Sequence, residues 1–202
     1  MKIGFEQEFF VMNSKTRELV IPVPKVFPFP DESGVLIEAR GEPSLDVIEA
    51  IFSLKADMER LDMICSKNGY IMWDKPLMVV SRKERVSLSR EFSKGISKFE
   101  NLYGFTAHRN KLMEWTAGIH ISFTKPTMIS VGDEVRHYNS MWDFPTLFRK
   151  LDDVFADEIK ETKRNPGFYE LKQDGRVEYR SLPNNVSHMK IITVLTELLK
   201  GA

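Results

Sequence analysis

Carboxylates, one histidine and two arginines recur at alternate positions of short apolar stretches, which is the spacing that puts them on one face of a strand. In Ile3-Gly4-Phe5-Glu6-Gln7-Glu8-Phe9-Phe10-Val11, Glu6 and Glu8 oppose Ile3, Phe5, Phe9 and Val11, with Gln7 the exception on the apolar side. Leu36, Glu38 and Arg40 oppose Val35, Ile37 and Ala39. Thr116, Gly118, His120 and Ser122 oppose Trp115, Ala117, Ile119, Ile121 and Phe123. Arg176, Glu178 and Arg180 oppose Val177, Tyr179 and Ser181. Side by side, these strands predict a sheet with an apolar back and a front bearing Glu6, Glu8, Glu38, His120, Glu178, Arg40 and Arg180. Hard oxygen donors of this kind suit Mg²⁺ or Mn²⁺. Without an ion, neighbouring carboxylates repel and raise one another's pKa; a divalent cation removes that penalty. His120 is a candidate ligand or phosphate contact, and Arg180 is placed to neutralise a phosphoryl group beside the metal. The plainer alternative is the outward face of an ordinary half-solvated sheet.

The elements that must carry these residues are legible along the chain. A strand over about 2–11 leads through Asn13-Ser14-Lys15-Thr16 to a short apolar stretch, Leu19 to Val23. Pro22, Pro24, Pro28 and Pro30 then make a stiff connector or sheet edge. After the Val35–Arg40 strand, Ser44 is the expected N-cap of a helix, with Asp46 and Glu49 in its first turn. Its apolar stripe is Val47, Ile48, Ile51, Phe52, Leu54, Met58, Leu61 and Ile64, and Asn68-Gly69 stops it. Cys65 reads as a packed thiol. Tyr70 to Val80 reads as strand interrupted at Pro76. Residues 82–98 carry Arg82, Lys83, Arg85, Arg90, Lys94 and Lys98 and read as a solvated segment or a phosphate-handling rim. Asp143 and Pro145 open a helix with Leu147, Phe148, Leu151, Val154, Phe155 and Ile159 as its stripe. The chain closes with the strand around Glu178 and a helix over about 187–200. His108, His137 and His188 read as surface or satisfied structural residues. Without regular βαβ alternation, the expectation is one α+β domain over residues 1–202, an antiparallel sheet with a polar concave face and helices on the other.

Composition narrows the function classes. A chain of 202 residues can bury a core without staples, and 42% hydrophobic with 29% charged residues is ordinary for a globular protein. Lys plus Arg equals Asp plus Glu, 29 each, which argues against nonspecific nucleic-acid binding. A single cysteine excludes an intrachain disulfide and fits a reducing cytoplasm. No stretch approaches the roughly 20 apolar residues of a membrane span, and the N-terminus reads at once as a strand.

Taken in order, these motifs resemble the glutamine synthetase and glutamate–cysteine ligase superfamily of carboxylate–amine ligases. Gly4-Phe5-Glu6-Gln7-Glu8-Phe9-Phe10 resembles the family's opening G-x-E-x-E-F strand. Gly118-Ile119-His120-Ile121-Ser122-Phe123 resembles its G-x-H strand, and Arg176-Val177-Glu178-Tyr179-Arg180 its late R-x-E-x-R strand. Asp31 and Glu38 resemble the acidic pair of the glutamate–cysteine ligase branch, and the short length is most like the compact phage-encoded branch. Ser122 stands where G-x-H-x-H versions carry a second histidine, and the chain is far shorter than full-length family enzymes.

The resemblance implies a glutamine synthetase catalytic-domain-like sheet that binds ATP and Mg²⁺ or Mn²⁺. It implies Glu6, Glu8, Asp31, Glu38, His120 and Glu178 as metal ligands, His120, Ser122 and Arg180 as cofactor contacts, and Arg40, Glu178 and Arg180 in the catalytic machinery. A substrate carboxylate would be activated as an acyl phosphate and captured by an amine on a small molecule or peptide. Arg82, Arg85, Arg109 and Lys111 are nucleotide-contact candidates by charge alone. Family members often form homo-oligomers, and the expected location is the cytoplasm, that of the host for a phage protein. Two rivals stand beside this reading: a metal-dependent phosphoesterase or nuclease using the same acidic cluster, and a noncatalytic binding module.

Overall fold

The alternation of side-chain direction along the first strand dictates the layering. In a computed structural model of the chain, β1 (Ile3–Asn13) buries Ile3, Phe5, Phe9 and Val11 against helices and turns Glu6 and Glu8 to the opposite face. The structure describes residues 1–20, 36–79, 100–103, 114–124, 129–131, 134–136, 143–162, 164–172 and 175–200. Asp31, Val35, the proline-rich connector, the basic residues between 82 and 98, His108, Arg109, Lys111 and His137 lie outside the described residues.

β1 is the hub of an eight-stranded sheet in which every pairing is antiparallel. Its partners are β2 (Leu19–Val20), β3 (Leu36–Arg40), β4 (Tyr70–Trp73) and β8 (Gly118–Phe123). Phe10 pairs with both Leu36 and Trp73, so β3 and β4 lie on opposite edges of β1. Beyond β8 come β12 (Val177–Pro183), β11 (Phe168–Leu171) and β6 (Glu100–Asn101). Two small sheets stand apart: β5 (Leu77–Val79) with β7 (Glu114–Thr116), and β9 (Ile129–Val131) with β10 (Glu134–Arg136).

Four helices lie among the described residues: α1 (Val47–Lys67), α2 (Phe144–Val154), α3 (Ala156–Glu161) and α4 (His188–Leu199). Their buried residues, among them Ala50, Ile51, Leu54, Leu61, Phe148, Leu151, Ile159, Ile191 and Leu195, share one core with the apolar face of the sheet. Phe148 is central there, its ring 5.1 Å from that of Tyr179 and 5.9 Å from that of Phe123. The α+β class with an open antiparallel sheet is therefore as expected. No described helix is long and apolar enough to cross a membrane.

Four local expectations are corrected. Ser44 does not cap α1: its N–H and C=O are exchanged with Ile3, at 3.0 and 2.7 Å, so its backbone belongs to the sheet. Asp46 caps instead, its carboxylate accepting from the Ile48 and Glu49 N–H groups. The buried stripe of α1 is narrower than the pattern suggests, because Ile48 and Phe52 are exposed while Ala50 and Cys65 are buried. The α2 pattern does not run on as one helix, since Phe155 caps the first segment and Ala156 starts a second. Finally, Trp115 to Phe123 is not one strand. Ala117 gives its N–H to Pro76 and accepts from Asn184, which splits β7 from β8, and its side chain packs with Phe10 and Leu36 rather than in the main core.

Candidate metal centre

Strand register builds the site. Glu6 stands directly opposite Arg40 on one side and His120 on the other. Glu8 faces Glu38, and Glu178 faces Ser122 and Glu170 on its two neighbours. Between Tyr179 and Leu182 the β12 register slips, a bulge that sets Arg180 and Ser181 beside His120 and returns Leu182 to the core. One end of the polar face is sealed by the apolar cluster of Phe10, Leu36 and Ala117.

His120 is the centre of the arrangement and is 1% exposed. Its Nδ1 lies 3.5 Å from Glu178 Oε1, 3.8 Å from Glu38 Oε1 and 3.9 Å from Glu6 Oε2. Its Nε2 lies 3.5 Å from Glu8 Oε1. Neither nitrogen makes a hydrogen bond among the described residues. A buried polar atom left in that state is costly in a native structure and calls for a partner. Burial, reinforced by the Arg180 charge, pushes the imidazole well below its ordinary range against the opposing pull of Glu178. It is therefore neutral at physiological pH, the form that donates a lone pair to a metal.

Three of the four carboxylates, those of Glu8, Glu38 and Glu178, are held by neighbouring donors. Glu8 Oε2 accepts the Gly118 N–H at 2.7 Å. Glu38 Oε2 accepts from Arg40 Nη2 at 2.6 Å and Nε at 3.0 Å. Glu178 is paired with Arg180 through Oε1, while Oε2 accepts from Ser122 Oγ at 3.3 Å and lies 3.3 Å from Lys172 Nζ. Burial first, and the neighbouring Glu6 second, push the Glu38 carboxyl up to about 9, with Arg40 opposing. One ligand atom each from Glu6, Glu38 and His120 lie within 4.8 Å of one another, a donor set that fits a divalent ion.

The sequence-derived residues Glu6, Glu8, Glu38, Arg40, His120, Ser122, Glu178 and Arg180 thus converge on one face, while Asp31 is outside the described residues. Three residues of the site were not anticipated. Glu170 and Lys172 extend the polar face along β11, bonded to each other at 2.8 Å and placed beside Arg180 and Glu178. Their alternate spacing is a weak strand signal that ends after one repeat. Arg164 approaches from the loop before β11, and no local pattern marks it. The carboxylates of Glu6, Glu8, Glu38 and Glu178 around the orphaned imidazole make a centre that could hold a divalent ion. No protein-family model matches the chain, and no curated protein matches it.

Proposed function

We propose that the polar face is a divalent-cation centre and that the chain is an ATP-dependent carboxylate–amine ligase using Mg²⁺ or Mn²⁺. The observation that carries the cation reading is His120: neutral, buried, without a hydrogen bond among the described residues, and surrounded by Glu6, Glu8, Glu38 and Glu178. The ligase reading is supported by the G-x-E-x-E-F, G-x-H and R-x-E-x-R motifs lying on β1, β8 and β12, adjacent strands that aim their polar residues at one volume. This is the arrangement expected of a glutamine synthetase-like catalytic sheet. Glu6, Glu8, Glu38, His120 and Glu178 would hold the cation, whose role would be to neutralise charge on phosphate oxygens during transfer. Arg180 would position a phosphoryl or carboxylate group, its guanidinium already oriented by Glu178 and Glu170.

The test is titration calorimetry with a nonhydrolysable ATP analogue, with and without Mg²⁺, on the wild type and Glu178→Gln. Mg²⁺-dependent binding that the variant loses supports the nucleotide reading; absence of binding by folded wild type overturns it. ATP turnover is then followed across carboxylate and amine mixtures. Turnover only when both are present supports a ligase, and hydrolysis indifferent to them identifies a phosphoesterase.

A further inference from the structure

Beside Gly118, Arg164 is a half-buried residue whose guanidinium is desolvated and has no carboxylate at ion-pair distance among the described residues. Its Nη2 donates to the Arg180 carbonyl at 2.6 Å, its Nε to the Ser181 carbonyl at 3.2 Å, and its Nη1 lies 3.4 Å from Thr116 Oγ1. A buried charge bonded only to neutral oxygens is expensive, and a neutral side chain would avoid the cost. The fixed position of the charge therefore requires its own explanation.

Two features supply one. The first is the bulge of β12. Two successive carbonyls, of Arg180 and Ser181, turn to the same guanidinium, so one planar fork holds both peptide groups at the point where the register slips. Alternation already puts Arg180 on the polar face with Glu178, and the slip sets both Arg180 and Ser181 opposite His120. The second is Gly118. Its N–H clamps Glu8 Oε2 at 2.7 Å, while a β-carbon on it would lie 2.5 Å from Arg164 Nη2 and 2.7 Å from Cζ and Nη1. The glycine is thus sandwiched between the Glu8 carboxylate and the guanidinium, and only a residue without a side chain permits the approach. Burial draws the Arg164 guanidinium below its usual range, the field of Glu8 opposes this, and Arg180 adds to it; the group stays cationic.

We propose that Arg164 is a positioning residue of the cation centre, setting Glu8 through Gly118 and Arg180 through the β12 bulge. This inference rests on the cation reading of the face. It also separates two effects with opposite signs. Loss of a nearby positive charge alone would tighten cation binding, whereas loss of the fork's geometry loosens it.

The experiment is a Mn²⁺ titration of the full chain by electron paramagnetic resonance, on the wild type, Arg164→Lys and Gly118→Ala, with thermal unfolding measured alongside. Lysine keeps the charge and loses the planar fork; alanine keeps the arginine and pushes it off Gly118. Both folded variants are expected to bind Mn²⁺ at least about tenfold more weakly than the wild type and to change the zero-field pattern of the bound ion. Unaltered affinity and pattern in a folded variant, with only a lowered Tm, would make Arg164 purely structural and overturn the proposal. If one variant fails to fold, the other decides. No Mn²⁺ bound by folded wild type would remove the cation reading itself, and with it this inference.

Discussion

Glu8 and Glu38 face each other directly across β1 and β3, both buried, one held by a backbone N–H and the other by Arg40. Two ionised carboxylates in such register destabilise a sheet. Burial first and the neighbouring Glu6 second push the Glu38 carboxyl up to about 9, and a divalent cation would compete with the proton there. Cation binding is therefore expected to raise Tm and to release a proton. At a hundredfold excess over Kd the gain is about 2.7 kcal/mol. Glu38→Gln mimics the protonated acid, so the metal-free variant should unfold within about 0.5 kcal/mol of the wild type while losing the Mn²⁺-dependent rise. Scanning calorimetry of both proteins, with and without Mn²⁺, checks this; a full metal response in the variant would exclude Glu38 as a ligand.

A pH dependence follows with a definite sign. Folded Glu38 holds its proton up to about 9, whereas the unfolded chain gives it up near the ordinary 4.5. Within that window the folded state binds more protons, so Glu38 makes metal-free stability fall as pH rises. His120 acts oppositely: its folded form refuses a proton that the unfolded chain accepts below 6.5, so its contribution is lost as pH falls. Urea unfolding across pH should show a steeper decline between about pH 5 and 9 in the wild type than in Glu38→Gln. Equal slopes would mean that Glu38 is ionised in the folded protein.

Arg180 bonds Glu178 and Glu170 with one nitrogen and lies 3.9 Å from Glu8 through another. Lysine cannot span these groups with a planar fork. Arg180→Lys should fold normally and bind the Mg²⁺–ATP analogue roughly tenfold to a hundredfold more weakly. Calorimetric titration measures it directly, and an unchanged Kd would remove Arg180 from ligand recognition.

The back of the sheet has its own test. Phe148 packs on Phe123 and Tyr179, the neighbours of Ser122 and Glu178 on their strands. Phe148→Ala should cost about 3–5 kcal/mol in urea unfolding. A loss below about 1 kcal/mol would mean that the core collapses around the gap.

The front face was legible because four strands follow a period of two up to the β12 bulge, so Glu6, Glu8, Glu38, His120 and Glu178 declare their side. The same rule misplaced Ala117. Its alternation is intact, but Pro76 and Asn184 take its backbone groups and end the strand there. Ser44 and Asp46 are both good caps by type, and the choice was made by a distant pairing with Ile3. Arg164 was illegible for a related reason: it sits in a connection, and its partners Thr116, Arg180 and Ser181 meet it only through tertiary packing.

The hub position of β1 also bears on how the molecule assembles. Its carboxylates emerge early in synthesis, but the strands that complete the face, β8 and β12, arrive more than a hundred residues later. Such distant pairing makes folding slow and leaves the nascent β1 edge without its lasting neighbour. The same late pairing event that closes the sheet brings His120 and Glu178 to Glu6 and Glu8. If the face binds an ion as proposed, affinity and completion of the fold would be one kinetic event, and a chain stalled before Val177 would have neither.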